Sequence, residues 1–443
     1  MKKRHFFTLF TLFLLISGLV VSAFALTPSP THHAYAIVLA DANTGDIIYA
    51  QNEHEQINPA STTKIMTALL AVEALDRGDV NIHDMLVTSQ AALADMVPAG
   101  ANIGLEVDEE MRFESLLYAV MLVSANDATN VIAERLGGTI DNFVQMMNDR
   151  ARELGALNTN FRNAHGLTQD GHYSTAYDLF RITEFAIQNP RFVELYSELE
   201  RFDPATSRTF VSTNRMKDPT APEYYHGALG VKTGFTNAAG WCLVSTATRG
   251  DISLLAVVMG VPADVDGINH FSETAALYDW AFENLEYTEI LPANTEITRV
   301  PISLGDGADT IGLRPQHSVN ALVLQGTTLQ DIRQEIVLFF DEEAEPLVAP
   351  VSQGTVLGQV TFYADGRTFG PMPLIAGETV ALSRTAHLRY EVGNTLGSTW
   401  VRVVIIVLVL LLALYVVYAV NYSIKKRRRR KERLNRYKDR RDR

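Results

Sequence analysis

Three short clusters of polar residues could carry chemistry together in this chain of 443 residues. In the first cluster, Ser61 and Lys64 stand three positions apart, and a helix would place both side chains on one face. A serine hydroxyl is a weak nucleophile at neutral pH, and a lysine amine can take its proton if burial lowers the pKa of the amine. Ser-x-x-Lys is a common pattern that also fits a capped helix with an exposed lysine, so it needs support from other residues.

The second and third clusters supply that support. Ser124 and Asn126 interrupt the apolar segment YAVMLVSANDATNVIAE with a hydroxyl and an amide. Buried polar groups at such a break need partners, either in a helix cap or in a binding site. Lys232, Thr233 and Gly234 form the third cluster. A cation and a hydroxyl suit a carboxylate, and glycine lets the backbone approach a ligand closely.

The elements that must position these clusters are predicted from periodicity. YAIVLADANTGDIIYAQ predicts a hairpin that turns at residues 43–45. Helical periodicity is present on both sides of the polar break in 114–135, and again in 140–154 and 175–189. ALGVKTG, GWCLVSTAT and ISLLAVVMG predict three consecutive strands, and FSETAALYDWAFENL predicts a final helix. This order predicts an α+β fold in which helices pack against an antiparallel sheet.

The chain changes character after this region. Residues 289–383 contain short alternating runs separated by Gly, Asp and Pro, which predicts a small all-β domain. A linker is expected at 384–399. Residues 400–422 are almost wholly apolar with an aromatic residue at each end, and are long enough to form a transmembrane helix. Residues 423–443 form a basic tail.

The N-terminus predicts export. Basic residues at 2–4 precede an apolar run at 6–21, and Ala-Phe-Ala at 23–25 fits the small-x-small cleavage rule. We therefore expect a signal peptide over 1–25, with an uncleaved membrane anchor as the alternative. Cys242 is the one cysteine, so no intrachain disulfide can form. We expect Cys242 to be a buried strand residue.

The net charge of −13 is distributed unevenly along the chain. From Lys425 to Arg443 there are thirteen Lys/Arg against three Asp/Glu, a local charge of +10. With the three basic residues at 2–4 also set aside, the body of the protein carries about −26, which argues against a nucleic-acid partner. We expect the basic tail to face anionic lipid headgroups in the cytoplasm. The protein is then a single-pass protein of the cell membrane, with its catalytic domain on the extracytoplasmic side.

The three clusters occur in an order that characterises one group of enzymes. S-x-x-K, then S-x-N, then K-T-G is a recognised active-site set. The chain resembles the serine D-alanyl-D-alanine carboxypeptidases, which are low-molecular-mass penicillin-binding proteins of the penicillin-binding protein 5 type. NPASTTKIMTAL, LLYAVMLVSANDA, NAHGL and GVKTGFTNAAG carry the likeness, which covers about 34–285. The region 289–383 is similar to the C-terminal domain that many members have.

The resemblance implies a fold and a reaction. The fold is a β-lactamase/transpeptidase-like catalytic domain, and no metal or other cofactor is expected. Ser61 would attack the carbonyl of the penultimate D-alanine in a peptidoglycan stem peptide, and Lys64 would take its proton. Ser124 would relay a proton towards the leaving D-alanine, and Asn126 would orient the substrate.

The resemblance also implies how the substrate is held. Lys232 and Thr233 would bind the terminal carboxylate beside Gly234, and the N–H groups of Ser61 and Phe235 would form the oxyanion hole. A β-lactam mimics the D-Ala-D-Ala end, so β-lactams are expected to acylate Ser61 and inhibit the enzyme.

Two further residues have less specific expected roles, and one position and one segment depart from the family pattern. We expect a structural role for His165 in NAHGL, and Arg215 is a further candidate for the substrate carboxylate. A glycine often stands in the family where this chain has Ala125. Family members often attach through an amphipathic helix lying on the membrane, whereas 400–422 is long enough to span it.

Two other functions fit parts of the sequence. A class A serine β-lactamase needs a deacylating glutamate in an E-x-x-L-N pattern, and the nearest match, ELGALN from Glu153, is one residue too long. A catalytically silent scaffold that binds the cell wall is the second alternative, although all three clusters are intact. Transpeptidation or cleavage of cross-links would be variants at the same site.

Overall fold

The computed structural model describes residues 32–97, 100–328, 330–341 and 346–439. The predicted signal peptide at 1–25 lies outside these residues. The chain divides into two compact units, one formed mainly by the first 290 residues and one mainly by the residues after them. Each unit is described separately below.

The first 284 residues contribute nine strands and seven α-helices to the described structure. The strands are β1 (Ala36–Asp41), β2 (Ile47–Gln51), β3 (Met85–Val87), β4 (Glu110–Arg112), β5 (Glu200–Asp203), β6 (Arg208–Val211), β7 (Lys232–Thr236), β8 (Gly240–Arg249) and β9 (Ile252–Val261). The helices are α1 (Lys64–Arg77), α2 (Phe113–Leu122), α3 (Asn126–Gly137), α4 (Ile140–Glu153), α5 (Ala176–Ala186), α6 (Pro190–Ser197) and α7 (His270–Asn284).

A five-stranded antiparallel sheet lies at the centre of this unit. Its strand order is β2-β1-β9-β8-β7, so the first and last parts of the unit meet where β1 pairs with β9. Side chains alternate between the two faces of each strand. Ala36 and Val38 in β1 pack into one core, and Ile37 and Leu39 pack into another on the opposite face. The sheet is therefore covered on both faces, which explains why its central strands β1 and β9 are mostly apolar.

Helices provide those two covers. The larger core includes buried residues of α1, α2, α3 and α5, and the smaller core includes those of α7. The predicted α+β class, with helices flanking an antiparallel sheet, is confirmed. The hairpin of β1 and β2, the break between α2 and α3, and the three strands β7 to β9 are present as expected.

Several short elements were not predicted from the sequence. The strands β3 and β4, of three residues each, form an antiparallel pair although they are distant in sequence, and β5 pairs with β6. The helix α6 begins at Pro190 after an Asn189 cap. The four strands have three or four residues each, which is too short for a periodicity to be recognised.

Seven further strands follow, and they form a second sheet and a separate pair. They are β10 (Leu285–Leu291), β11 (Thr298–Pro301), β12 (Thr310–Pro315), β13 (Val319–Leu324), β14 (Arg333–Leu338), β15 (Val356–Ala364) and β16 (Arg367–Ala376). The sheet order is β11-β12-β16-β15-β14, and β10 pairs with β13. The predicted all-β character of this region is confirmed.

Two helices end the described chain. The first, α8 (Arg384–Gly397), occupies the segment expected to be a linker. The second, α9 (Thr399–Asp439), contains an apolar stretch long and exposed enough to cross a membrane, about 30 Å for 20 residues. This helix continues past 422 into the basic tail, because Lys and Arg are good helix formers and no Gly or Pro interrupts the tail.

Candidate active site

The first cluster lies at the junction of two helical segments. Ser61 belongs to a 3-10 turn, Ala60–Thr63, and Lys64 is the first residue of α1. Lys64 Nζ lies 3.1 Å from Ser61 Oγ, which is hydrogen-bond distance. The preceding residue, Ala60, has a φ of +48°, a conformation that costs energy for a residue with a Cβ. The nucleophile candidate is therefore presented on a strained turn beside a lysine.

Lys64 is held by two further oxygen atoms. Its Nζ donates to Asn126 Oδ1 at 2.7 Å and to the main-chain carbonyl of His165 at 2.6 Å. A neutral amine has two N–H bonds and one lone pair. With both N–H bonds engaged by these acceptors, the lone pair is left for the hydroxyl of Ser61. The arrangement thus suits a lysine that accepts a proton.

Electrostatics favour the neutral form of this lysine. Lys64 is 0% exposed, and its burial, together with the charge of Lys232, holds the pKa of its amine well below the ordinary value. The carboxylate of Asp127 acts in the opposite direction, but more weakly. Burial and the charge of Lys217 lower the pKa of Lys232 to about 7. Lys232 can therefore exchange a proton near neutral pH, and Lys64 gives up its proton more readily than an exposed lysine does.

The second cluster lies in the break between α2 and α3. Ser124 has a φ of +65° and is 6% exposed, and its Oγ has no hydrogen-bond partner within the part of the chain that the structure describes. The main-chain N–H of Asn126 donates to the carbonyl of Ala101 at 2.7 Å. A buried hydroxyl without a partner is costly unless a ligand or water satisfies it.

A carboxylate fixes the loop that faces this break. Asp127 accepts hydrogen bonds from the main-chain N–H groups of Ile103, Gly104 and Leu105 at 2.9–3.2 Å. Each such bond to a charged acceptor contributes about 1.5–3 kcal/mol. The loop that contains Ala101, whose carbonyl accepts the N–H of Asn126, is thereby held at the start of α3. The sequence reasoning gave Asp127 no role.

The third cluster forms the edge strand β7. Lys232 is buried and its Nζ donates to the carbonyl of Thr233 at 3.1 Å. Thr233 Oγ1 lies 2.6 Å from Thr213 Oγ1, so two hydroxyls stand together. A Cβ built on Gly234 would lie 3.1 Å from the main-chain nitrogen of Ser61. Glycine therefore lets β7 pack directly against the turn that carries Ser61.

One cavity of about 460 Å³ brings most of these residues together. It is lined by five of the predicted site residues: Ser61, Ser124, Thr233, Gly234 and Phe235. Lys64 and Lys232 are buried beneath these lining residues, as is Asn126. Arg215 also lines the cavity, but its guanidinium is paired with Glu223 at 2.9 Å. Cys242 is buried in β8, as predicted.

The main-chain carbonyl of His165 accepts the hydrogen bond from Lys64. The sequence could not predict this contact, because every residue type has a main-chain carbonyl. The ring atom Nδ1 of His165 accepts the N–H of Leu167, so Nε2 carries the proton and donates to Asp95 Oδ2 at 3.0 Å. The neighbouring Gly166 packs so closely on the carbonyl of Ala60 that any Cβ would clash. The NAHGL segment therefore contacts both the turn that carries Ser61 and the amine of Lys64.

Comparison with known proteins identifies the family. The family model described as D-alanyl-D-alanine carboxypeptidase matches residues 23–263, more than half of the chain. The chain belongs to this family. A second model, the C-terminal domain of penicillin-binding protein 5, matches residues 285–382. The D-alanyl-D-alanine carboxypeptidase DacF of Bacillus subtilis is 33% identical over 355 residues, covering 80% of this chain and 87% of the relative.

Solved structures of penicillin-binding proteins share the fold. Penicillin-binding protein 5 from Haemophilus influenzae matches with a TM-score of 0.66 and 30% identity, over 80% of this chain and 99% of that one. Penicillin-binding protein D2 from Listeria monocytogenes, in its cefotaxime-bound form, matches with a TM-score of 0.51 and 28% identity, over 58% of this chain and 100% of that one. The family resemblance inferred from the motifs is confirmed.

Proposed function

We propose that the protein is an exported serine carboxypeptidase that removes the terminal D-alanine from peptidoglycan stem pentapeptides. One observation carries the proposal: Lys64 Nζ lies 3.1 Å from Ser61 Oγ, beside a cavity that Ser124, Thr233 and Gly234 also line. Membership of the D-alanyl-D-alanine carboxypeptidase family supports the reaction and its substrate class.

Acylation begins at the hydroxyl of Ser61. Neutral Lys64 accepts the hydroxyl proton as Oγ attacks the carbonyl carbon of the penultimate D-alanine. The oxygen of that carbonyl becomes an anion held by the N–H groups of Ser61 and Phe235. Losing one such donor typically costs about 3–4 kcal/mol of transition-state stabilisation. The close packing of β7 on the Ser61 turn at Gly234, the residue before Phe235, supports this assignment.

The peptide bond then breaks and D-alanine leaves. Its nitrogen needs a proton, which Ser124 delivers from the neighbouring amines, Lys64 and Lys232. The hydroxyl of Thr233 binds the terminal carboxylate. Asn126 orients both the substrate and Lys64. Water then attacks the acyl-enzyme, which releases the shortened peptide and restores the Ser61 hydroxyl.

β-Lactams enter the same cycle and stop it. A β-lactam presents an amide and a carboxylate at the spacing of the D-Ala-D-Ala end, so its ring opens onto Ser61. The ring fragment stays attached and blocks the attack of water. The cefotaxime-bound form of the Listeria relative supports this inference.

The C-terminal helix anchors the enzyme in the cell membrane. The apolar part of α9 spans the bilayer once, and the arginines and lysines after residue 424 remain on the cytoplasmic side near anionic lipids. The catalytic domain then lies on the extracytoplasmic side, where peptidoglycan is found. Full-length protein should stay in the membrane after alkaline carbonate washing, and a chain ended after Ser398 should not.

Release of D-alanine tests the proposed activity directly. The purified full-length protein, in detergent, should release one equivalent of D-alanine per stem pentapeptide, and Ser61→Ala should release none. A labelled penicillin should give a burst and then slow turnover. Rapid, continuous turnover of penicillin would instead identify a β-lactamase, and wall binding without D-alanine release would identify a scaffold.

A further inference from the structure

The cavity beside Ser61 has an aromatic wall that the reaction above does not use. Phe235 is 39% exposed, and its ring centroid lies 4.2 Å from that of Trp241. The ring of Trp241 stacks on His270 at 4.8 Å with 9° between the planes, and His270 contacts Phe271 at 3.9 Å. All four residues line the cavity. The wall therefore runs from the strand that holds the substrate to the start of α7.

This wall carries no charge at neutral pH. Burial lowers the pKa of His270 to about 4, so its imidazole is neutral. Its Nδ1 is buried and has no hydrogen-bond partner among the described residues. The guanidinium of Arg215 is neutralised by Glu223. An apolar or aromatic group can therefore pack here without removing an unpaired charge from water.

The proposed function fixes which part of the substrate reaches the wall, and the inference rests on it. The carbonyl at the scissile bond is held at Phe235, and the terminal carboxylate is held two residues earlier on β7, at Thr233. The peptide before the scissile bond must then run the opposite way, past Thr236. A separate cavity of about 580 Å³, lined by Thr236 and Asn237, receives it there. The cavity with the aromatic wall is left for the released residue.

The size of this cavity exceeds what D-alanine needs. Its volume is about 460 Å³, within the range of about 300–1,000 Å³ that accommodates drug-sized ligands. The methyl side chain of D-alanine would leave most of the exposed ring of Phe235 uncovered. We infer that the enzyme also releases larger D-amino acids, with apolar or aromatic side chains that pack against this aromatic wall. The chemistry is unchanged: the peptide bond breaks, Ser61 carries the acyl group, and water supplies the hydroxyl and the proton.

A substrate series tests this inference in the full-length protein. The peptides are diacetyl-L-Lys-D-Ala-D-X, where X is Ala, Leu or Phe, with L-Phe at the last position as a stereochemical control. We expect kcat/KM for D-Phe to equal or exceed that for D-Ala, and no release of L-Phe. A preference for D-Ala over both larger residues by more than about tenfold would overturn the inference. This comparison needs no variant. Release from none of the peptides would overturn the proposed function as well.

Variants of Trp241 locate the effect. Both substrates use the same oxyanion hole, so the ratio of kcat/KM for D-Phe to that for D-Ala isolates the side chain of the released residue. Trp241→Ala should lower this ratio by about tenfold, the discrimination that one partly buried apolar group provides. Trp241→Phe keeps an aromatic ring and should keep the ratio within about twofold. An unchanged ratio in Trp241→Ala would contradict the assignment.

Discussion

Gly234→Ala should disable the turn that carries Ser61 without unfolding the protein. The added Cβ would lie 3.1 Å from the nitrogen of Ser61, and 3.2 Å from both Ala60 Cβ and the nitrogen of Thr62. Comfortable contacts between non-bonded heavy atoms are about 3.5–4.0 Å, so the turn and β7 must separate by roughly 0.4–0.9 Å at the closest contact. Catalytic groups displaced by about 1 Å typically lose about 100-fold in rate. We therefore expect acylation to slow by about 10- to 100-fold.

Stopped-flow acylation by a fluorescent penicillin measures this effect. A 100-fold loss corresponds to about 2.7 kcal/mol of activation free energy, whereas overpacking should cost only about 1–3 kcal/mol of folding stability. The matched control is Gly393→Ala in α8, where an added Cβ meets no heavy atom within 4 Å. That control should acylate at the parent rate. Acylation of Gly234→Ala within about threefold of the parent would refute the proposed packing of β7 on the Ser61 turn.

Three further predictions follow from the charges around the site. Lys232→Met removes a charge that lowers the pKa of Lys64, so the acylation rate should begin to rise at a higher pH than in the parent. An unchanged pH dependence would contradict the electrostatic coupling between Lys232 and Lys64. The difference in acylation rate between the parent and Lys232→Met should be larger below about pH 7, where Lys232 carries its charge. Asp95→Asn weakens the hydrogen bond that fixes the ring of His165, whose carbonyl positions Lys64. We therefore expect kcat to fall several-fold with little change in KM. An equal change in kcat and KM would argue against a positioning role for Asp95. Asp127→Ala leaves three loop N–H groups without their acceptor and should lower the free energy of unfolding in urea by at least about 3 kcal/mol; a loss under about 0.5 kcal/mol would show that water replaces the carboxylate.

The sequence was sufficient to predict those elements of the fold whose structure depends on a local pattern of residues. The polar break after α2 was predicted because Ser124 and Asn126 interrupt an apolar helix, and the structure has that break with Ser124 at positive φ. The meander β7–β8–β9 was predicted from three consecutive apolar runs. Motif spacing then indicated the family, because three clusters in a fixed order are far more specific than any one of them.

Other parts of the site could not be predicted, since they depend on groups without a sequence signature. The carbonyl of His165 accepts from Lys64, and any residue type supplies a carbonyl. Asp127 follows Asn126 directly, yet its role depends on a loop more than twenty residues earlier in the chain. The aromatic wall joins Phe235 to His270 across 35 positions of sequence, through the pairing of β7 with β8 and the packing of α7.

The site of penicillin attachment tests the central claim, that Ser61 is the nucleophile activated by Lys64. Full-length protein in detergent is treated with penicillin, weighed intact by mass spectrometry, and then digested to locate the adduct. We predict one adduct per chain, on the peptide that contains Ser61, and none in Ser61→Ala. An adduct that persists in Ser61→Ala, or that maps to Ser124, would contradict the account.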